Sequence, residues 1–378
     1  MINRVLKGKI LNKFNSGKAV IIMGARQTGK TTLLRQLFKG VENVYFLNGD
    51  ETDVQALFEE ANSDLFKAHF SGFEYVVIDE AQRISDIGIK LKLITDQLTD
   101  VQLFATGSSS FDLANKINEP LTGRKWEYRL FPLSFLEMVD HHGILKERRL
   151  LNHRLIYGYY PDVVMHEGNE KETLRQLSDS YLYKDILMWE NIKKPDKLLK
   201  LLQALALQIG NEVSYNELGK TVGLDNQTVE KYIQLLEKTY IIFRLGAFSR
   251  NLRKELKKGR KIYFYDNGIR NALITNFSPA SNRNDMGALW ENFMISERQK
   301  HIHYENIWAN CHFWRTQDQQ EIDYIEEMDG KMYAFEFKWN PEATQKLSKT
   351  FSAAYPNHEY SIINPSNFEP FLGLHAKG

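Results

Sequence analysis

The chain has 378 residues, room for two or three domains. Its hydrophobic share of 43% supports ordinary cores, and a net charge of +1 excludes any global pull toward nucleic acid. A single cysteine, Cys311, excludes a disulfide within the chain, suits a reducing cytoplasm and is expected to be a packing residue. No apolar run approaches the ~20 residues of a membrane-spanning helix. Ala19–Met23 is too short for a signal-peptide core, so the chain is expected in the cytoplasm.

The N-terminal part alternates two patterns. Short apolar runs at Ala19–Met23, Val44–Leu47, Tyr75–Ile78 and Val101–Ala105 predict buried strands. Longer stretches between them, such as Thr31–Phe38 and Val54–Phe70, predict helices. Strands alternating with helices imply an α/β domain whose parallel sheet is covered on both faces. Its end is expected near Tyr157-Gly158-Tyr159-Tyr160-Pro161, giving a first domain over 1–160.

The first strand runs into Gly24-Ala25-Arg26-Gln27-Thr28-Gly29-Lys30-Thr31, with Thr32 behind it, which fits G-x-x-x-x-G-K-[ST]. Glycines at that spacing let the backbone curl so that successive N–H groups face phosphates. The helix that follows adds the positive end of its dipole. Lys30 is placed to reach the β and γ phosphates of ATP, and Thr31 to ligate Mg²⁺. About fifty residues later the apolar run Tyr75–Ile78 ends in Asp79-Glu80. Asp79 would hold Mg²⁺ through water, and Glu80 would polarise the attacking water.

The strand at Val101–Ala105 ends in Thr106-Gly107-Ser108-Ser109. Thr106 or Ser108 is expected to contact the γ-phosphate or its water, with a capped turn as the alternative. Arg124, in Leu121-Thr122-Gly123-Arg124, is a candidate arginine finger, with an exposed loop arginine as the alternative.

A helical middle follows, over 161–265. Ser214 and Glu217 have capping-box spacing, and Asp225 is placed to cap the next helix. In that helix Val229, Tyr232, Ile233 and Leu236 form an apolar face, away from Gln227, Thr228, Lys231 and Gln234. Two short capped helices and then a strand-like run, Tyr240–Phe248, resemble a winged helix. The segment from Ser249 to Lys261 holds seven basic residues and one acidic. It suits a phosphate backbone, so DNA is a candidate partner. A protein-binding module or a merely solvated basic run remains open.

In the last part, 266–378, Asp329-Gly330 is a strong two-residue hairpin signal. The register it sets places Asp323 opposite Glu336 and Glu321 opposite Lys338, with Ile322, Tyr324, Phe335 and Phe337 on the other, apolar face. Facing carboxylates repel, so a divalent metal, a shared proton or exposure must offset them. Asp323, Glu336 and Lys338 also fit D-x(n)-E-x-K as in PD-(D/E)XK nucleases. That resemblance implies metal ligation by the acids, water activation by Lys338 and an extra acidic position at Glu291.

The order GARQTGKTTLL, VVIDEAQ, ATGSSS, LTGR and FPLSFLE resembles a family of prokaryotic AAA-type ATPases with a C-terminal domain of unknown function. The similarity continues through YGYYPDVV, YLYKDI, KIYFYDNGIRNAL and EIDYI–AFEFK. It implies an ATPase domain, a winged-helix segment and a restriction-endonuclease-like end. The preferred expectation is a Mg²⁺-dependent ATPase governing a DNA-binding, DNA-cutting C-terminal half. Its rival is an ATP-driven regulatory or scaffold switch whose nuclease-like end cuts nothing. A small-molecule kinase is a weaker third. Partners under either leading reading are ATP and, as candidates, DNA and further copies of the chain, but no membrane.

Overall fold

The computed structural model describes residues 2–60, 62–108, 117, 121–189, 194–249 and 259–375. Two compact units emerge, Met1–Leu133 with Lys238–Tyr240, and Ser134–Glu237 with Ile241–Gly378. Where the sequence suggested three parts divided near 160 and 265, the packing gathers the middle and the end into one unit.

The first unit holds five parallel strands, β1 (Ala19–Met23), β2 (Val44–Asn48), β3 (Tyr75–Asp79), β4 (Gln102–Gly107) and β5 (Lys125–Arg129), in the order β2-β3-β4-β1-β5. The four expected strands are there. Their order follows burial, because β1 and β4 are buried along their whole length while β2 and β5 are half-buried edges. β5 escaped the sequence pattern: Lys-Trp-Glu-Tyr-Arg is polar, as an edge strand permits. The register aligns Met23 with Gly107 and Asn48 with Asp79, so the phosphate loop, Asp79 and Thr106 sit at the same carboxyl end of the sheet. Ligands of open α/β sheets bind at that end.

The second unit begins with helices, among them Phe135–His142 and Glu170–Trp189. Helices Pro195–Leu207, Tyr215–Val222 and Asn226–Lys238 follow, around β6 (Glu212–Val213). Ser214 caps the Glu217 N–H at 3.4 Å, one half of the expected box, and Asp225 accepts the Thr228 N–H at 2.9 Å. Gln227, Lys231 and Gln234 are exposed, as the apolar period implied. The remaining strands are β7 (Ile242–Ala247), β8 (Arg260–Phe264), β9 (Asn310–Arg315), β10 (Glu321–Met328), β11 (Lys331–Phe337) and β12 (His358–Ile363). They form one seven-stranded sheet, β12-β11-β10-β9-β7-β8-β6. A parallel pairing of β7 with β9, Gly246 to His312, fuses the middle strands to the C-terminal ones.

Asp329 and Gly330 both adopt left-handed backbone, φ 50° and 75°, which a tight hairpin between β10 and β11 requires. Met328 pairs with Lys331 and Tyr324 with Phe335, the expected register. One face differs from expectation. Tyr324, Phe335 and Phe337 do gather around Phe371. Ile322 instead joins Trp314, Ile325, Met332, Ala334 and Phe351 in a separate cluster. The cause is an irregularity between Ile322 and Ile325 where β10 pairs with β9, which breaks strict alternation. Both faces of the hairpin are therefore apolar, because β9 and β12 flank it and make it interior.

Among the described residues no helix is long and apolar enough to cross a membrane. Cys311 is partly buried, and the Tyr324 hydroxyl donates to its Sγ at 3.0 Å.

Candidate nucleotide site and a second acidic centre

The loop after β1 is shaped by close approach. A side chain on Gly24 would place Cβ 2.1 Å from the Leu130 carbonyl oxygen, so only glycine fits there. Gly29, at φ 94°, turns the chain directly into the helix Lys30–Leu37. Lys30 is buried, and its Nζ donates to the Gly24 and Ala25 carbonyls at 3.0 and 2.9 Å, placing an ammonium inside the curl. The Thr28 hydroxyl donates to the Ala25 carbonyl at 2.8 Å and tightens the loop. Arg26 is half-buried, while Gln27 and Thr32 are exposed.

Across from the loop, the Thr31 hydroxyl donates to Asp79 Oδ2 at 2.6 Å, and the Thr106 hydroxyl donates to Asp79 Oδ1. Thr106 Oγ1 also accepts the Glu80 N–H at 3.1 Å. Glu80 adopts left-handed backbone, φ 50°, unusual for a non-glycine residue and found where function holds strain. Gly49 lets β2 pack against it: a Cβ there would lie 2.5 Å from the Glu80 carbonyl oxygen. Lys30, Thr31, Asp79, Glu80, Thr106 and Ser108 thus share the carboxyl end of the sheet. A hydroxyl and a carboxylate at hydrogen-bond distance are hard oxygen donors. They fit Mg²⁺, which keeps several waters and needs few protein ligands.

Residues 16–139 match the family model described as an AAA domain. The N-terminal domain is a P-loop domain of the AAA type. Two further segments, 148–280 and 286–373, match domains of unknown function, DUF8612 and DUF4143. An uncharacterized protein of Mycobacterium tuberculosis is 26% identical over 339 residues, spanning 89% of this chain and 73% of that one. Another, from Haemophilus influenzae, is 28% identical over 281 residues, 67% of this chain and 68% of that one. Among solved structures, a Walker-type ATPase of Pyrococcus abyssi aligns with TM-score 0.50 at 15% identity, covering 72% of this chain and 96% of that one, a likeness of fold alone.

Arg124 sits elsewhere in this AAA-type domain. Its carbonyl accepts the Ala19 N–H at 3.0 Å, at the amino end of β1, a full strand away from the phosphate loop. Its Nε pairs with Asp96 at 2.5 Å. This placement removes it from its own site. The arginine at the loop end of β5 is Arg129, opposite Met23 and stacked 4.8 Å from the Tyr240 ring.

Sequence reasoning also missed Arg4. Its guanidinium is buried and donates to the Thr28 and Phe131 carbonyls, both at 2.6 Å, clamping the back of the loop. A lone arginine near the N-terminus carries no pattern that would flag it.

The acids of the second unit lie in different surroundings. Lys261, first read as part of a basic phosphate-facing run, is 1% exposed. Its Nζ sits 3.1 Å from Glu291 Oε1 and 2.6 Å from Glu321 Oε1. The Tyr263 hydroxyl donates to Glu291 Oε1 at 2.6 Å. The run was misread because Lys261 lies inside β8, where alternate side chains turn inward; residues 250–258 of it lie outside the described residues. Arg260 packs over the Tyr215 ring at 4.9 Å.

Asp323 Oδ2 accepts the Phe337 N–H at 2.9 Å. Glu336 accepts from Lys338 at 3.0 Å and from Gln345 at 2.9 Å. Burial, then the Asp323 charge, pushes Glu336 up to about 8. Burial likewise raises Glu291 to about 7, against the pull of Lys261 and with Asp323 adding to the rise. For Lys261, burial works to lower the pKa, but Glu291, Asp323 and Glu321 outweigh it and hold the lysine well above its usual range. Among the described residues no group of three or more acids, histidines or cysteines is arranged to hold a metal ion. Glu291, Asp323 and Glu336, the expected ligands, are each engaged by lysine, tyrosine, glutamine or backbone donors. The centre does not fit a resident metal.

Proposed function

We propose that this chain binds ATP with Mg²⁺ and hydrolyses it at the N-terminal site. The observation that carries the reading is the Thr31–Asp79–Thr106 chain of hydroxyls and carboxylate, at one strand end with Lys30 inside the loop. Backbone N–H groups of Ala25 to Thr31 and the Lys30 ammonium would hold the phosphates, and Thr31 and Asp79 the metal. Bound Mg²⁺ would neutralise charge on the β and γ phosphates. Glu80 would take the proton of the attacking water, and Thr106 or Ser108 would report on the γ-phosphate. Lys30→Ala tests this: ATP turnover should fall at least about a hundredfold, as when a charge-stabilising donor is lost. Unchanged turnover overturns the assignment.

For the second unit we propose that ATP governs a binding or assembly module, not a nuclease. The observation favouring this over cutting is Lys261, whose ammonium bridges Glu291 and Glu321 where a nuclease would need a divalent ion. Winged-helix-like helices with exposed Gln227, Lys231 and Gln234 keep DNA as a candidate ligand, held by contact without chemistry. The chain should leave plasmid and linear DNA intact with Mg²⁺ or Mn²⁺. Cleavage by the wild type that disappears in Asp323→Ala would restore the nuclease reading.

A further inference from the structure

Gln82 has no task in the ATP-site reading so far. It follows Asp79-Glu80 in a single tight turn, Ala81–Arg83, and is 7% exposed. Its Nε2 donates to Glu80 Oε2 at 2.5 Å and to Ser108 Oγ at 2.9 Å. An ionised carboxylate only accepts, so the nitrogen of the amide, and not its oxygen, must face Glu80. Oε1 is then buried without any hydrogen-bond partner. An unsatisfied buried carbonyl costs about 1–3 kcal/mol, and an incoming donor would remove that cost. The oxygen sits on the same amide carbon as the nitrogen that grips Glu80, so such a donor would stand beside the Glu80 carboxylate.

We infer that Gln82 is the positioning residue for the attacking water: Nε2 fixes the Glu80 carboxylate, and Oε1 accepts one O–H of the water whose other O–H faces Glu80. The inference rests on the ATPase reading of this site. With both hydrogens directed, a lone pair of the water faces the γ-phosphorus. The water oxygen then bonds to that phosphorus and the bond to the β–γ bridging oxygen breaks. The electron pair leaves with ADP, and Glu80 takes the water proton. Ser108, through the same amide nitrogen, ties this arrangement to the end of β4. A glutamine here therefore does more than fill space: both ends of one amide serve one water.

The test uses the full chain with Mg²⁺ and measures ATP turnover, KM and affinity for a non-hydrolysable ATP analogue. Gln82→Ala should lower kcat by about 10- to 100-fold, the scale of a misplaced reacting group. KM and analogue affinity should stay near wild type. Gln82→Met preserves side-chain volume and should show the same split if alanine disturbs the fold. Gln82→Glu should retain activity at acid pH and lose it as pH rises, because the introduced carboxyl can donate to Glu80 only while protonated. Adding Gln82→Ala to Glu80→Gln should cost nothing further, since the two act as a unit. Unchanged kcat in Gln82→Ala, losses that multiply in the double variant, or loss of analogue affinity alongside kcat would each overturn the inference. A wild type that binds the analogue without turnover ends both this inference and the hydrolysis reading. An active wild type with an equally active Gln82→Ala ends this one alone.

Discussion

In the N-terminal unit Asp79 and Glu80 meet two threonine hydroxyls and a glutamine amide, while in the C-terminal unit Glu291, Glu321 and Glu336 meet lysines. Both sets sit on or beside strands, and both looked like metal ligands in the sequence. The difference lies in what neutralises them. Hydroxyls and amides orient a carboxylate without cancelling its charge, so Asp79 and Glu80 stay ready for a cation or a proton. Lys261 and Lys338 cancel charge in place, and the raised Glu291 and Glu336 show that protons supply part of the remainder. A pair of acids is a metal site only where the fold has left its charge unpaid.

Two substitutions probe this contrast most strongly. Lys30→Ala should abolish turnover by at least about a hundredfold yet leave thermal stability nearly unchanged, because it removes a group aimed at phosphate. Lys261→Met should do the reverse. It strands Glu291 and Glu321 beside an apolar side chain and should destabilise the second unit by about 3 kcal/mol in chemical denaturation. That is the low end for losing one partner of a buried pair, because Glu321 keeps some access to water. ATP turnover of the folded protein should persist. If Lys261→Met is as stable as wild type, or Lys30→Ala is severely destabilised, the contrast between the two acidic sets fails.

The nucleotide site was legible because its chemistry is local. A glycine loop, a strand and a capped helix lie within some fifteen residues, and the second acid pair closes another strand. What escaped was non-local. Arg4 reaches the loop from 24 residues away with no pattern to mark it, and β5 hides in a polar edge. Arg124 was misplaced because chain order does not say which end of the sheet a loop occupies. In the second unit the turn Asp329-Gly330 set the hairpin register correctly, since tight turns fix pairing. The same register could not reveal Lys261, which approaches the acids from β8, some sixty residues earlier. Counting it among basic surface residues reversed its role from a partner of phosphate to a partner of buried glutamates.

A smaller effect should appear with pH. Glu336 titrates near 4.3 when unfolded and is held at about 8 in the fold by burial and Asp323. Between those values the folded state keeps a proton that the unfolded state has released, so stability should fall as pH rises from about 4.3 and level off above about 8. Glu291, raised to about 7, adds to the lower part of that fall. Lys338 and Gln345 bond Glu336 directly, which limits the drop once it ionises. Glu336→Gln should flatten the denaturation midpoint between pH 7 and 8. An unaltered slope in that variant would mean that charge in the second centre is balanced some other way.

The smallest expected effect belongs to Arg124. Its pair with Asp96 is solvent-exposed, and such pairs contribute about 0–1 kcal/mol. Arg124→Ala should therefore barely shift stability. Its effect on turnover is the sharper question, because β5 runs parallel to β1 and leaves Arg124 at the amino end of the sheet. No rotation of its side chain brings it back along a five-residue strand to its own phosphates. Turnover at high dilution should match wild type. A loss that grows with protein concentration would mean that Arg124 serves the site of a neighbouring copy. A loss at all concentrations would require the segment before β5 to rearrange on binding ATP, and would remove the geometric ground for excluding it.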